Sequence, residues 1–290
     1  MPLYAVLAAI FVTMCWGGNF SAMHLTMIEI PPFLALTLRF AAVSLLLAPF
    51  ALRYKVPSMR DMLFVSMTLI VLQFALVFSA MHMGLSITSV IIAVQLGVPF
   101  ACVMAAIFFK DYLGPWRSAG LMVAFLGVLV VAGTPNASEH WVGFLVTIMG
   151  AFCWSAANIY MKRMAPVKVV VMIFWPALLA VPPLALLSAV VEENQWEILR
   201  TAHLTSWMGI AYGTVFSSII GYGLWSWLIK RYPMSQVVPY SLLVPVVGIS
   251  AGAWMFGEPI TARIMVGAVL TIFGVGIISL RRPQLVEAEQ

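Results

Sequence analysis

The chain has 290 residues, of which 63% are hydrophobic and 9% charged, and its net charge is +5. Roughly a quarter of the residues of a soluble domain are charged, so this composition excludes a soluble globular protein and indicates a membrane protein. The three cysteines, Cys15, Cys102 and Cys153, all lie in apolar runs, which argues against a disulfide framework.

Apolar runs of about twenty residues, separated by charged or Pro/Gly-rich stretches, follow one another along the chain. Their all-round apolarity is typical of membrane helices. The sequence therefore predicts an all-α polytopic membrane protein with ten transmembrane helices. The predicted helices cover residues 3–23, 33–52, 62–83, 87–109, 118–133, 141–161, 169–191, 204–229, 235–256 and 264–280.

Positive charge lies mainly in alternate loops. Of the fifteen Lys and Arg residues, twelve fall on one side of the predicted membrane, Arg200 and Arg263 fall on the other, and Arg39 lies within a helix. Because cytoplasmic loops retain Lys and Arg, both termini are predicted to be cytoplasmic, in a multi-pass protein of the plasma (inner) membrane. The positive net charge is then explained by the orientation of the protein in the membrane, and no nucleic-acid partner is expected.

Two sequence motifs of the first half of the chain recur in the second half, at nearly the same distance along the chain. CWGGNF at 15–20 returns as CWSAAN at 153–158, and GLMVAFLGVLV from Gly120 returns as GAVLTIFGVGI from Gly267. The alternative to an internal repeat is a chance alignment of apolar residues. A repeat of five helices places the second copy upside down in the membrane. We therefore predict inverted repeats at 1–134 and 141–282, a linker at 135–140 and a polar cytoplasmic tail at 283–290.

These motifs, with LTLRF around Arg39 and the stretches that precede the last helix of each half, resemble the EamA branch of the drug/metabolite transporter superfamily. The second half keeps the Gly257-Glu258 pair of that family, whereas the first half has Lys110-Asp111. The resemblance implies a basket of ten helices in which the first, third, fourth, sixth, eighth and ninth line a central cavity. It also implies export of small metabolites, with chemistry similar to that of the YddG-type aromatic amino-acid exporters.

Few ionisable residues lie deep in the predicted helices. Every Asp and Glu falls in a loop or at a helix end, which leaves Arg39 and His82. Sugar phosphates and nucleotide sugars call for several cations in the cavity, so we expect a neutral or zwitterionic, partly apolar substrate. The resemblance implies that amino acids are the foremost substrates of this kind. A multidrug carrier, another metabolite carrier and a channel remain alternatives. The four histidines are scattered, so no enzyme activity, metal or cofactor is expected.

Arg39 has two interpretations. It either pairs with Glu258, Glu29 or helix-end carbonyls, or it captures a substrate carboxylate. His82 lies near the outer end of the third helix and is either an interfacial hydrogen-bonding residue or a proton sensor.

The remaining candidates for substrate binding are polar or aromatic residues within helices. They are Trp16, Asn19, Gln73, Gln95, Trp154, Asn158, Ser218, Tyr222, Tyr240 and Ser241, with Gln236 beside them. The alternative for the amides is hydrogen bonding between helices.

Proline residues at corresponding depths of the fourth and ninth helices are predicted hinges, because each removes a helical hydrogen bond. They are Pro99, Pro239 and Pro245. The expected partners are a small-molecule substrate and the lipid bilayer, with a monomer as the working unit. Transport is expected to proceed by alternating access.

Overall fold

The computed structural model describes residues 1–109, 114–164, 167–232, 237, 240–241 and 243–280. These residues form ten main helices at the predicted positions, and the predicted start of the ninth, at residue 235, lies outside the described residues. They are α1 (Leu3–Met27), α2 (Pro32–Ala51), α3 (Met59–His82), α4 (Ile87–Val94 and Gly97–Phe109), α5 (Gly114–Ala132), α6 (Trp141–Arg163), α7 (Val169–Val191), α8 (Leu204–Tyr212, Gly213–Gly221 and Tyr222–Arg231), α9 (Leu243–Phe256) and α10 (Ala262–Leu280). The first seven are long and apolar enough to cross a membrane.

The packing of the helices follows the inverted repeat. α2 packs against its counterpart α7, and α5 packs against its counterpart α10. α1 contacts α8 and α9, and in the other half α6 contacts α3 and α4. Each of these helix contacts therefore has an equivalent contact made by the corresponding helices of the other half, as expected for two inverted five-helix repeats.

The residue after each Cys-Trp pair explains why that motif recurs. A Cβ atom added to Gly17 would lie 3.0 Å from the Val244 carbonyl oxygen of α9. At the matching position of the second half, the Ser155 hydroxyl donates a hydrogen bond of 2.7 Å to the Gly97 carbonyl of α4. A small residue is needed at both sites because the two helices approach closely there.

The recurring glycine spacing has a similar cause at the contact of α5 with α10. A Cβ atom added to Gly120 would lie 2.8 Å from the Gly274 carbonyl oxygen, and one added to Gly127 would lie 2.7 Å from the Gly267 carbonyl oxygen. The glycines therefore allow direct contact between the two backbones.

Two helices differ from the regular geometry that periodicity predicts. α3 contains a π-helical stretch at Ser66–Leu72, and α8 contains one at Gly213–Gly221. α3 and α8 are counterparts in the repeat, so the distortion is itself repeated. π-helical turns are frequent at functional sites. The π-helical stretch of α8 contacts the candidate functional site, which is described in the next section.

Other departures are local. Helix α1 continues to Met27, beyond the predicted end at residue 23, and the predicted linker contains a short helix, Pro135–Glu139. α4 is interrupted between Val94 and Gly97. Pro99 has no N–H to donate to the Gln95 carbonyl, which instead accepts from Val98 N at 3.2 Å.

Carboxylates tie the two halves together at the predicted outer face. Glu258, which follows α9, accepts hydrogen bonds from Ile87 N at 2.7 Å, Thr88 N at 3.0 Å and the Thr88 hydroxyl at 2.5 Å. Glu192, which follows α7, binds the first N–H groups of α2 in the same way. Each carboxylate thus caps a helix of the other repeat, where the helix dipole favours negative charge.

A third carboxylate makes a similar connection between α1 and α8. Glu29 accepts hydrogen bonds from the Ser206 hydroxyl at 2.5 Å and from His203 N at 2.9 Å, and it also binds the His203 ring. These hydrogen bonds lower the pKa of Glu29 from 4.5 to about 2, because they favour the charged carboxylate.

Candidate functional site

Arg39 lies at the centre of the candidate site. Its side chain is 0% exposed. Nη2 donates to the Ser217 hydroxyl at 3.2 Å and to the Ser218 hydroxyl at 3.0 Å, and Nε donates to Ser218 at 3.3 Å. Both serines belong to the π-helical stretch of α8, which presents two consecutive hydroxyls to α2.

Aromatic rings cover part of the guanidinium group. The Arg39 Cζ atom lies 5.3 Å from the ring centre of Phe40 and 5.0 Å from that of Phe74 on α3. The negative face of an aromatic ring attracts a cation at such distances. This attraction and two neutral hydroxyls solvate the charge without neutralising it.

Neither of the loop carboxylates considered as partners for Arg39 pairs with it. Glu258 and Glu29 instead bind the first turns of α4 and α8. Within the described residues the one ion pair is Glu29 with His203, and Arg39 Nη1 has no hydrogen-bond partner. A buried charge without a counter-ion is costly, so the site is suited to binding an anionic group.

Trp16 brings α1 into the same cluster. Its indole Nε1 donates to the Ser217 carbonyl at 3.2 Å. Its ring centre lies 5.4 Å from that of Tyr222 and 5.2 Å from that of Trp225. The predicted residues Trp16, Arg39, Ser218 and Tyr222 therefore come together, from three helices, in one buried cluster of aromatic, hydroxyl and cationic groups.

Two predicted amides have oxygens without partners. Asn19 is 5% exposed, and neither its Oδ1 atom nor the Oε1 atom of Gln73 has a hydrogen-bond partner among the described residues. Hydrogen bonding between helices, the alternative interpretation for the amides, does not occupy these two oxygens.

The second Trp/Asn pair lies elsewhere. Trp154 packs against Gly97 of α4, where an added Cβ atom would be 2.8 Å from its ring. The Asn158 amide donates to the Trp154 carbonyl of its own helix at 2.7 Å. Gln95 lies at the interruption of α4.

The other candidates are near helix ends. His82 is the exposed last residue of α3. Tyr240 packs with a small apolar cluster around Ala5 and Leu228 at the predicted cytoplasmic end, and Ser241 follows it. The predicted hinges Pro99 and Pro245 lie within α4 and α9, whereas Pro239 and Gln236 fall outside the described residues.

Two residues that the sequence did not single out belong to the same cluster. Ser217 and Phe74 both contact the Arg39 guanidinium group. The adjacent pair Ser217-Ser218 was a usable signal, but a regular helix places neighbours about 100° apart, so only Ser218 was singled out. No group of three potential metal ligands occurs among the residues that could be searched.

Comparisons with known proteins agree with this architecture. A model of the EamA-like transporter family matches residues 3–133 and 141–280. Two relatives are the probable amino-acid metabolite efflux pumps of Salmonella typhimurium and Escherichia coli strain K12. They are 32% and 31% identical to the chain over 277 residues, which is 93% of this chain and 92% of each relative. A solved crystal structure, 19% identical, covers 97% of this chain and 98% of its own with a TM-score of 0.69, and it supports the fold alone.

Proposed function

Since the chain belongs to the EamA-like transporter family, we propose that it exports small zwitterionic or neutral metabolites, with amino acids as its main substrates. It is a membrane transporter and not an enzyme. The probable amino-acid metabolite efflux pumps among its relatives support both the substrate class and the direction of transport.

Arg39 is the observation that carries the proposal. Its guanidinium group is fully buried, has an unpartnered Nη1 atom and is solvated by two hydroxyls and two rings. A substrate carboxylate supplies the missing negative charge and can accept from Nη1. One cation suits a single carboxylate better than a phosphate-rich substrate, which several cations usually bind.

The aromatic rings around the site, Trp16 with Tyr222 on one hand and Phe74 against Arg39 on the other, favour a partly apolar substrate. Such rings provide a large contact area and restrict the shape of the bound side chain. In this proposal the carboxylate binds at Arg39 and the side chain packs against aromatic rings of the site. The remaining predicted residues, including Gln95 of the first repeat and Trp154 and Asn158 of the second, would then line the route for the substrate.

The transport cycle in this proposal is alternating access. The two inverted halves rock about the pocket, with bending where Pro99 and Pro245 remove helical hydrogen bonds. Both termini are cytoplasmic in the proposed orientation, which the concentration of Lys and Arg on that side supports. A single chain is the proposed working unit because the pocket lies between helices of one chain.

Efflux from proteoliposomes tests the proposal. Vesicles containing the purified full-length protein are loaded with radiolabelled L-phenylalanine or L-leucine, and initial efflux is measured against internal concentration. We expect saturable efflux, which Arg39→Gln reduces by about tenfold or more, the value of one hydrogen bond to a charged group. The exposed Arg200 provides the matched control Arg200→Gln, which keeps its activity.

Different outcomes separate the alternatives. Flux that rises linearly with concentration indicates a channel. Efflux of organic cations but not of amino acids indicates a multidrug carrier. Equal efflux by wild type and Arg39→Gln contradicts the proposed role of Arg39.

A further inference from the structure

Two serines of α8 occupy one edge of the Arg39 guanidinium group. Nη2 donates to the Ser217 hydroxyl at 3.2 Å and to the Ser218 hydroxyl at 3.0 Å, and Nε donates to the Ser218 hydroxyl at 3.3 Å. A guanidinium group carries five N–H donors in a planar fork. The serines therefore engage the donors of Nε and Nη2, and the donors of Nη1, which has no partner among the described residues, are left over.

Regular helical geometry would not bring both hydroxyls to Arg39. Neighbouring residues of an α-helix point in directions about 100° apart. Ser217 and Ser218 reach the same guanidinium group because they lie in the π-helical stretch Gly213–Gly221. A π-helical turn is a rare conformation, so we looked for the contacts from other helices that support it.

Trp16 of α1 contacts this stretch at Ser217 itself. Its indole Nε1 donates a hydrogen bond of 3.2 Å to the Ser217 carbonyl. A Cβ atom added to Gly221 would lie 2.7 Å from the same Nε1 atom, so the glycine at the end of the stretch leaves room for the indole. Ser217 thus accepts one hydrogen bond from α1 through its carbonyl and one from α2 through its hydroxyl.

This double contact links the aromatic residue of α1 to the buried cation of α2. We propose that Ser217 is a positioning residue for substrate binding and that Trp16 acts on Arg39 through it. The Trp16 hydrogen bond holds the Ser217 backbone, and the Ser217 hydroxyl fixes the plane of the guanidinium group, so that Nη1 is oriented to bind the substrate carboxylate. A binding group is held accurately when hydrogen bonds from a supporting layer fix its orientation. The inference rests on the proposed function and adds that α1 and α8 together orient Arg39.

A pair of ligands isolates the effect on carboxylate binding. Dissociation constants of L-phenylalanine and L-phenylalaninamide are measured by isothermal titration calorimetry on the purified full-length protein. The two ligands share the ring and the amino group, so the ratio of their dissociation constants reports the carboxylate and cancels direct contacts of the Trp16 ring. We expect Ser217→Ala to lower this preference about threefold or more, within the range that one hydrogen bond contributes. Trp16→Phe, which keeps an aromatic ring without the N–H donor, should lower it by a similar factor.

A control and a double variant assign the effect to the proposed link. Thr214→Val removes another hydroxyl of the same stretch, which donates to the Arg39 backbone carbonyl at 3.4 Å, and it should leave the preference unchanged. If Trp16 acts through Ser217, the two substitutions combined lower the preference by less than the product of their separate factors. A combined effect equal to that product overturns the link between Trp16 and Ser217.

The remaining outcomes separate this inference from the proposed function. If the wild type binds both ligands equally, the proposed role of Arg39 is itself wrong. If the wild type prefers L-phenylalanine and Ser217→Ala keeps that preference, the positioning role is overturned, whereas carboxylate binding by Arg39 stands. Equal weakening of both ligands in Ser217→Ala also overturns the positioning role, because Ser217 then only supports the fold.

Discussion

Replacing Glu258 with glutamine tests how the two repeats are held together at the predicted outer face. Both carboxylate oxygens act as acceptors: Oε1 binds Ile87 N, and Oε2 binds Thr88 N and the Thr88 hydroxyl. Glutamine has only one acceptor oxygen. Its NH₂ group would face a backbone N–H, so at least one donor at the start of α4 loses its partner.

The expected loss can be estimated from these contacts. A hydrogen bond to a charged group contributes about 1.5–3 kcal/mol, and negative charge at a helix N-terminus contributes about 0.3–1 kcal/mol. Glu258→Gln should therefore lower the free energy of unfolding by roughly 2–4 kcal/mol. For a large domain this corresponds to a fall in melting temperature of roughly 5–15 °C.

The assay is thermal unfolding of the purified protein in detergent, followed by tryptophan fluorescence. Glu193→Gln is the matched control, because Glu193 is an exposed acid in a loop on the same face, and its melting temperature should stay within about 1 °C of the wild type, as for most surface substitutions. A Glu258→Gln protein that melts with the wild type would refute the reasoning that this carboxylate joins the repeats.

Three further predictions follow from other parts of the structure. Gly127→Ala forces a Cβ atom to within 2.7 Å of the Gly267 carbonyl oxygen and should destabilise the protein by about 1–3 kcal/mol. Gly223→Ala is the control, because no atom lies within 4 Å of its added Cβ atom. It should not lower the melting temperature. Hydrogen bonds lower the pKa of Glu29 from 4.5 to about 2, so its contribution to stability is present above pH 4.5 and is lost as the pH falls toward 2. The deficit of Glu29→Gln in melting temperature should then persist from pH 7 to pH 5, and a deficit that vanishes by pH 6 would contradict this assignment. Because the described Asp and Glu residues lie at helix ends or in loops, efflux from proteoliposomes should persist when a protonophore removes the proton gradient, and strict dependence on that gradient would refute the expectation.

The sequence was sufficient to predict the architecture. Apolar length predicted ten helices, and the structure contains them. The Cys-Trp and Gly-x6-Gly repeats predicted duplication, because Gly17 and Ser155, like Gly120 and Gly267, serve matching helix contacts. Contacts between backbones tolerate only small residues, so such positions leave a visible pattern in the sequence.

The site was only partly predictable. The predicted residues that the structure brings together, such as Trp16, Arg39 and Tyr222, could be singled out because an Arg and aromatic or polar residues within apolar helices are conspicuous in an apolar chain. The Arg39 partner Ser217 was not found, because the π-helical stretch at Gly213–Gly221 changes which side chains share a face, and periodicity assumes a regular helix. Carboxylates that seemed available for Arg39 instead cap helices of the opposite repeat, a choice that depends on tertiary packing.

The most direct test of the central claim compares L-phenylalanine with L-phenylalaninamide, which keeps the amino group and the ring but lacks the carboxylate. If the buried Arg39 captures a carboxylate, the wild type binds L-phenylalanine at least about tenfold more tightly than the amide, and Arg39→Gln loses this preference. Equal affinity of the wild type for both ligands, or a preference that survives in Arg39→Gln, would contradict the account.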